Sequence, residues 1–96
     1  MSIRVTLNCN IKSGQLDVLL PFLKQNLPNV RGFKGCVGVS VYFDESNSEM
    51  LLEEEWLNVE QHHAYIKHID NNGVLGELAQ LLESAPLIKY FKKENI

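Results

Sequence analysis

Basic residues are few and dispersed in this chain. Nine Lys and Arg stand against twelve Asp and Glu, for a formal charge of −3, and only Lys92-Lys93 are adjacent. No basic stripe is available to track a phosphate backbone, which argues against nucleic acid as a partner. Cysteine is also sparse. The two residues, Cys9 and Cys36, lack the C-x-x-C spacing of a metal or redox site and stand in no secretory pattern, so they read as ordinary buried thiols. Long apolar runs are missing as well. The longest, Val18 to Leu23, is interrupted by Pro21, and Met1-Ser2-Ile3-Arg4 runs straight into alternating residues, so the sequence is read as having no membrane span or targeting segment and as cytoplasmic. Repeats, linkers and low-complexity segments are not found.

What is present is enough for one core. With 96 residues, 45% of them hydrophobic, the chain fits a single domain over residues 1–96. A domain this short leaves much of its apolar surface uncovered, so association with a second copy is plausible on size alone.

The hydrophobic pattern changes period along the chain. Ile3, Val5, Leu7, Cys9 and Ile11 alternate with Arg4, Thr6, Asn8 and Asn10, the period of a strand with one dry face. After Ser13-Gly14, Leu16, Leu19, Leu20, Leu23 and Leu27 recur at helical spacing. Pro21 predicts a kink or late start in that helix, and Leu27-Pro28-Asn29 predicts its end, with Gly32 and Gly35 in the following loop. Cys36 to Phe43 reads as a second strand, with Val37, Val39, Val41 and Phe43 on one face and Cys36, Gly38, Ser40 and Tyr42 on the other. Asp44 to Ser48 is a polar turn and Glu49 to Leu57 the returning strand of a hairpin. Asn58 and Gln61 form a capping box for a helix through about Asp70. Asn71-Asn72-Gly73 breaks it, Leu75, Leu78, Leu82 and Ala85 continue helically, and Pro86 introduces a last strand from Leu87 to Lys93.

The order β-α-β-β-α-β, with a broken second helix, predicts an α+β ferredoxin-like fold: an antiparallel four-stranded sheet in the order four-one-three-two, with helices on one face. The other face, carrying Thr6, Asn8, Gly38, Ser40 and Tyr42, has the mixed character of an interface. In that strand order the third strand separates Cys9 from Cys36 by at least about 10 Å, too far for a disulfide.

Three stretches together resemble the antibiotic biosynthesis monooxygenase (ABM) family of dimeric α+β barrels. Gly35-Cys36-Val37-Gly38-Val39 is similar to the family's small-residue lead-in to its second strand, Leu51-Leu52-Glu53-Glu54-Glu55-Trp56 to its third, and Ser84-Ala85-Pro86-Leu87-Ile88-Lys89-Tyr90-Phe91 to its closing Pro-led strand. The resemblance implies one ABM-like domain that forms a homodimer, its sheets facing each other, with a pocket in each subunit between sheet and helices. It implies chemistry on small aromatic or quinol-type molecules with O₂ and no metal or flavin: the pocket deprotonates a phenol or its tautomer, and the delocalised carbanion passes an electron to O₂. A non-enzymatic dimeric domain that holds a small apolar ligand is the alternative.

Candidate residues follow from angles of about 100° per residue along the helix after Trp56. Val59, Ile66 and Ile69 make its inward stripe, His62 falls within that stripe, His63 and Tyr65 flank it, and His68 points to solvent. His62 is the candidate base, or else a core histidine bonded to backbone; Tyr65 is a candidate donor to an oxyanion. Many members of the family place a histidine where this chain has Tyr65. Haem-degrading members need a Trp and a ligating His at positions held here by Ala64 and Val74, which cannot serve. Trp56, as pocket wall or core, and His63 are candidates for substrate binding, and the resemblance implies Asn8 as another, since it is similar to the polar strand-one residue of the family's catalytic members. His62, Trp56 and Tyr65 are expected to line one cavity. Glu53-Glu54-Glu55 cannot chelate a metal, because alternation sends Glu54 to the face opposite its neighbours, and the adjacent pair His62-His63 diverges by one residue of helical turn. A buried Glu54 calls for a cationic partner, Arg4 or a residue across a dimer.

Overall fold

The alternating segments form strands and the striped segments helices, in the order β1 (Ile3–Asn10), α1 (Leu16–Arg31), β2 (Cys36–Phe43), β3 (Glu49–Trp56), α2 (Val59–Asn71), α3 (Val74–Gln80) and β4 (Leu87–Lys92). The structure, a computed structural model, describes all 96 residues. The strands make one antiparallel sheet in the order β2-β3-β1-β4, the ferredoxin-like order read from the sequence. No helix is long and apolar enough to cross a membrane.

Register decides which side chains meet. Val5 stands opposite Glu54, Leu7 opposite Leu52 and Cys9 opposite Met50, so one sheet face gathers these residues with Val39 and Trp56. Leu19, Leu23 and Val30 of α1 and Leu78 of α3 pack in the same buried cluster. Each Leu or Val so buried contributes about 1.5–3 kcal/mol relative to exposure. The opposite face is uncovered and is organised in rows across all four strands. One row runs Tyr42, Leu51, Asn8, Leu87, the next Ser40, Glu53, Thr6, Lys89, and the third Gly38, Glu55, Arg4, Phe91.

Three local expectations are corrected. Pro28 does not end α1: the helix runs on to Arg31, because Pro28 still accepts from the Gly32 N–H (3.1 Å) and the added turn buries Val30. Strict alternation fails at the start of β2. Cys36 pairs with Trp56 and Gly38 with Glu55, so Val37 is the extra residue of a β-bulge; Cys36 turns toward the core and Val37 is left 54% exposed. The capping box is half made. Asn58 Oδ1 accepts from the Gln61 N–H at 2.9 Å, but Gln61 Oε1 is buried without a partner, its side chain lying against Gly35. A Cβ on Gly35 would fall 2.4 Å from that oxygen and 2.6 Å from Gln61 Cβ, and Gly35 has φ +93°, so only glycine fits there.

Both cysteines are free. Cys9 is level with Met50 and Cys36 with Trp56, at opposite ends of β3, which places them about 20 Å apart along the strand direction. Burial, and then the Glu54 carboxyl, push the Cys9 thiol up to about 11, where it is protonated and inert.

Candidate functional site

Trp56 closes β3 and Asn58 caps α2, so only Leu57 lies between the indole and the cap of the helix that carries His62 and Tyr65. The three rings converge. Trp56 and His62 meet edge to face at 5.3 Å between centroids, Trp56 and Tyr65 lie at 5.4 Å, and His62 and Tyr65 at 6.5 Å. Phe33, from the α1–β2 connection, completes the cluster at 5.2 Å from Tyr65 and 6.2 Å from Trp56. Its place in a glycine-containing loop gave no periodic signal by which sequence reasoning could have found it.

Below these rings lies a carboxyl. Glu54 is 3% exposed, and its Oε1 accepts a hydrogen bond from Trp56 Nε1 at 2.8 Å. Arg4 does not reach it: it lies on the other sheet face, paired with Glu53 at 3.1 Å. His62 Nε2 is 3.7 Å from Glu54 Oε1 and has no hydrogen-bond partner, while His62 Nδ1 is 2.8 Å from the Tyr90 hydroxyl. The separation of 3.7 Å is within ion-pair range, but burial opposes charge on both members. It holds His62 down at about 4, with His63 adding to the effect, and raises Glu54 against the lowering bond from Trp56. At neutral pH the imidazole is therefore uncharged and the contact is not an ion pair.

Two spaces adjoin this cluster. An inner cavity of about 50 Å³ lies between the sheet and all three helices; twelve of its fourteen lining residues are hydrophobic, and the exceptions are Asn26 and Glu54. The Asn26 amide is tied to the Phe22 carbonyl at 2.9 Å, so Glu54 supplies the reactive group. An outer, open cleft of about 370 Å³ contains Phe33 and His68 and shares Asn26, Tyr65, Ile69 and Val74 with the inner cavity. Tyr65 is thus a wall common to both. Burial pushes its phenol up to about 12, with Glu54 next in effect, so it is a proton donor and not a base.

The sequence candidates separate accordingly. His62, Trp56 and Tyr65 come together as rings, but only Tyr65 lines the cavity; His62 and Trp56 lie behind Glu54. His63 is exposed, 5.6 Å from the Tyr90 ring. Asn8 lies on the opposite sheet face, bonded to Glu49 at 3.2 Å, and does not join them. His68 is exposed, as its angle predicted. Glu53 and Glu55 project away from Glu54, and no three His, Cys, Asp or Glu side chains are gathered to hold a metal. Besides Phe33, two members of the site were not among the candidates. Alternation had placed Glu54 on the core face but gave it the wrong partner, and the same alternation in the last strand, carried across from β1, puts Tyr90 beside Val5 on that face.

No family model matches the sequence, and no curated protein matches it. Solved structures do match over nearly the whole chain. A Bordetella bronchiseptica protein carrying the provisional name antibiotic biosynthesis monooxygenase superposes with a TM-score of 0.84, covering 98% of each chain at 16% identity. One from Deinococcus radiodurans with the same provisional name gives 0.79, over 100% of this chain and 95% of the other at 18% identity. A conserved protein of Methanosarcina mazei Go1 gives 0.86, over 98% and 94%, at 19% identity. At such identities the likeness establishes the fold, and it is the fold of proteins named for the family whose motifs the sequence resembles.

Proposed function

We propose that the protein is an ABM-type, cofactor-independent monooxygenase-like enzyme acting on a small aromatic or quinol-type substrate. The observation that carries this is Glu54: a buried carboxyl without a cationic partner, set in an otherwise apolar wall and raised in basicity by its surroundings. A group so placed is a proton acceptor matched to a weak acid such as a phenol or the methylene of an anthrone. The inner cavity is smaller than the roughly 150 Å³ that accepts a benzene ring, whereas the outer cleft is within the range of ligand pockets. The substrate ring sits in the cleft against Phe33 and Tyr65, and a swing of the Tyr65 side chain joins the two spaces and exposes Glu54. Glu54 then takes the proton, the Tyr65 hydroxyl donates to the developing oxyanion, and the carbanion passes an electron to O₂. Recombination and loss of water convert a methylene to a carbonyl, with one O₂ consumed and one water released.

Oxygen uptake under chelated, metal-free conditions with a panel of quinols and anthrones tests this. Wild type is expected to consume one O₂ per carbonyl formed, and Glu54→Gln to lower kcat about a hundredfold, within the range for loss of a general base. A second reading is favoured by His62, whose imidazole does not reach the cavity and is too weak a base at neutral pH. If an aromatic ligand binds by calorimetry, yet wild type consumes no more oxygen than Glu54→Gln, the protein is a binding domain and not an oxygenase.

The fold places the apolar side chains Tyr42, Leu87 and Phe91, each about half exposed, on the open sheet face beside Leu51, and no element of the chain covers them. A second copy covers this face in a homodimer, at a total buried area above roughly 1,000 Å². Light scattering at micromolar concentration should return twice the chain mass, with Tyr42→Lys plus Phe91→Glu returning the monomer; a monomeric wild type overturns the dimer.

A further inference from the structure

His62 is an odd choice for a position with no solvent exposure. Leaving one ring nitrogen of a buried imidazole unpaired costs about 1–3 kcal/mol, which a phenylalanine or leucine at the same place would avoid. The unpaired atom, Nε2, faces the one carboxyl of the inner cavity, and the paired atom, Nδ1, faces a hydroxyl that leads outward. Tyr90 is 38% exposed, and the ring of the exposed His63 stands edge-on to it at 5.6 Å. Carboxyl, imidazole, phenol and surface imidazole therefore follow one another from cavity to solvent.

We propose that Glu54, His62 and Tyr90 form a proton relay between the inner cavity and the protein surface, with His63 or water as its outer acceptor. A proton received by Glu54 passes to His62 Nε2. His62 releases its Nδ1 proton to the Tyr90 oxygen, and Tyr90 releases its own hydroxyl proton outward. No positive charge is left on the core imidazole: Glu54 is again a carboxylate, His62 is in its other tautomer, and the bond of 2.8 Å to Tyr90 persists with donor and acceptor exchanged. The inner step closes a gap of 3.7 Å to a bonded distance near 2.9 Å, a shift of about 0.8 Å. The titratable groups facing Glu54 are Cys9 from β1, Cys36 from β2, His62 and Tyr65 from α2 and Tyr90 from β4; none is a fixed cation that would trap the charge. One pass of the relay returns Glu54 to its basic form without water entering the cavity, and to that extent it rests on the function proposed above.

Its test does not depend on turnover. Exchange of the His62 ring N–H and the Trp56 indole N–H with water is measured by NMR, each rate divided by that of the free group. Both rings have no solvent exposure and pack against each other at 5.3 Å between centroids, so a local opening that frees one frees the other. With the relay, His62 is protected at least tenfold less than Trp56, and Tyr90→Phe brings it to the level of Trp56. Equal protection in wild type overturns the relay. So does a His62 rate unchanged by Tyr90→Phe, or a slowing that Trp56 shares. Absence of oxygen uptake with the exchange result intact would remove the oxygenase and leave the relay standing.

Discussion

Replacing Trp56 by alanine is expected to remove most of the folding stability. The indole has no solvent exposure and packs against Phe33, His62 and Tyr65 at the junction of sheet and helices. Truncating a buried Trp costs about 3–5 kcal/mol, and the lost N–H leaves the Glu54 carboxyl without its hydrogen bond at about 1–3 kcal/mol more. A domain of this size has about 5–15 kcal/mol in total, so the sum consumes most of it. Trp56→Phe shifts the balance toward the second contribution, because it keeps much of the ring while removing the donor. It should lose about 2 kcal/mol in urea denaturation at neutral pH. The loss should shrink as the solution is acidified: the indole bond lowers the Glu54 pKa, so without it the carboxyl protonates at higher pH and stops being a buried charge. A Phe variant within 0.5 kcal/mol of wild type would mean that the bond from Trp56 is not what keeps Glu54 in the core.

The fold was legible because its cues are local. Period-2 alternation in Ile3–Asn10 and period-3.6 stripes in Leu16–Arg31 each name an element, and the Asn58 cap and Gly73 break punctuate the second half. What was not legible depends on neighbours. Val37 is as β-prone as Val39, and only pairing with β3 shows that Val37 is the bulged residue. Pro28 has the look of a terminator, yet burial of Val30 on the far side of it is enough to carry the helix one turn further.

The site divides in the same way. Helical angles place His62 inward, and strand alternation places Glu54 inward, but neither period says that the two meet or that Arg4 will be claimed by Glu53 on the other face. Tyr90 enters the site through the register of β4 on β1, a pairing between residues more than eighty positions apart that no window of sequence contains. The resemblance to a family implies histidine and tyrosine as chemistry, whereas the groups facing the cavity are Tyr65 and the glutamate that precedes Trp56 by two residues.

The buried pair also makes a signed prediction about stability and pH. His62 ordinarily titrates near 6.5 and is held at about 4 in the folded protein by burial. A base with a depressed folded pKa is protonated first in the unfolded chain, so the unfolded state binds more protons between those values and stability falls as pH falls through them. At about 1.4 kcal/mol per unit the loss is on the order of 3 kcal/mol between pH 6.5 and 4, with nothing further below that window and nothing above it. Glu54 acts in the other direction. Its folded pKa is raised by burial, so the folded state takes the proton first, and acidification through that range returns stability. Wild type shows the difference of the two; Asp44, whose carboxyl is held below its ordinary value of 3.8 mainly by its hydrogen bond from the Glu49 N–H, adds its loss only at lower pH. Variants resolve them. In urea denaturation series from pH 7 to 4, Glu54→Gln should lose stability more steeply than wild type, and His62→Gln should lack the loss between 6.5 and 4. If His62→Gln follows the same slope as wild type through that window, the imidazole is not buried neutral, and both its place behind Glu54 and the proton path through it are wrong.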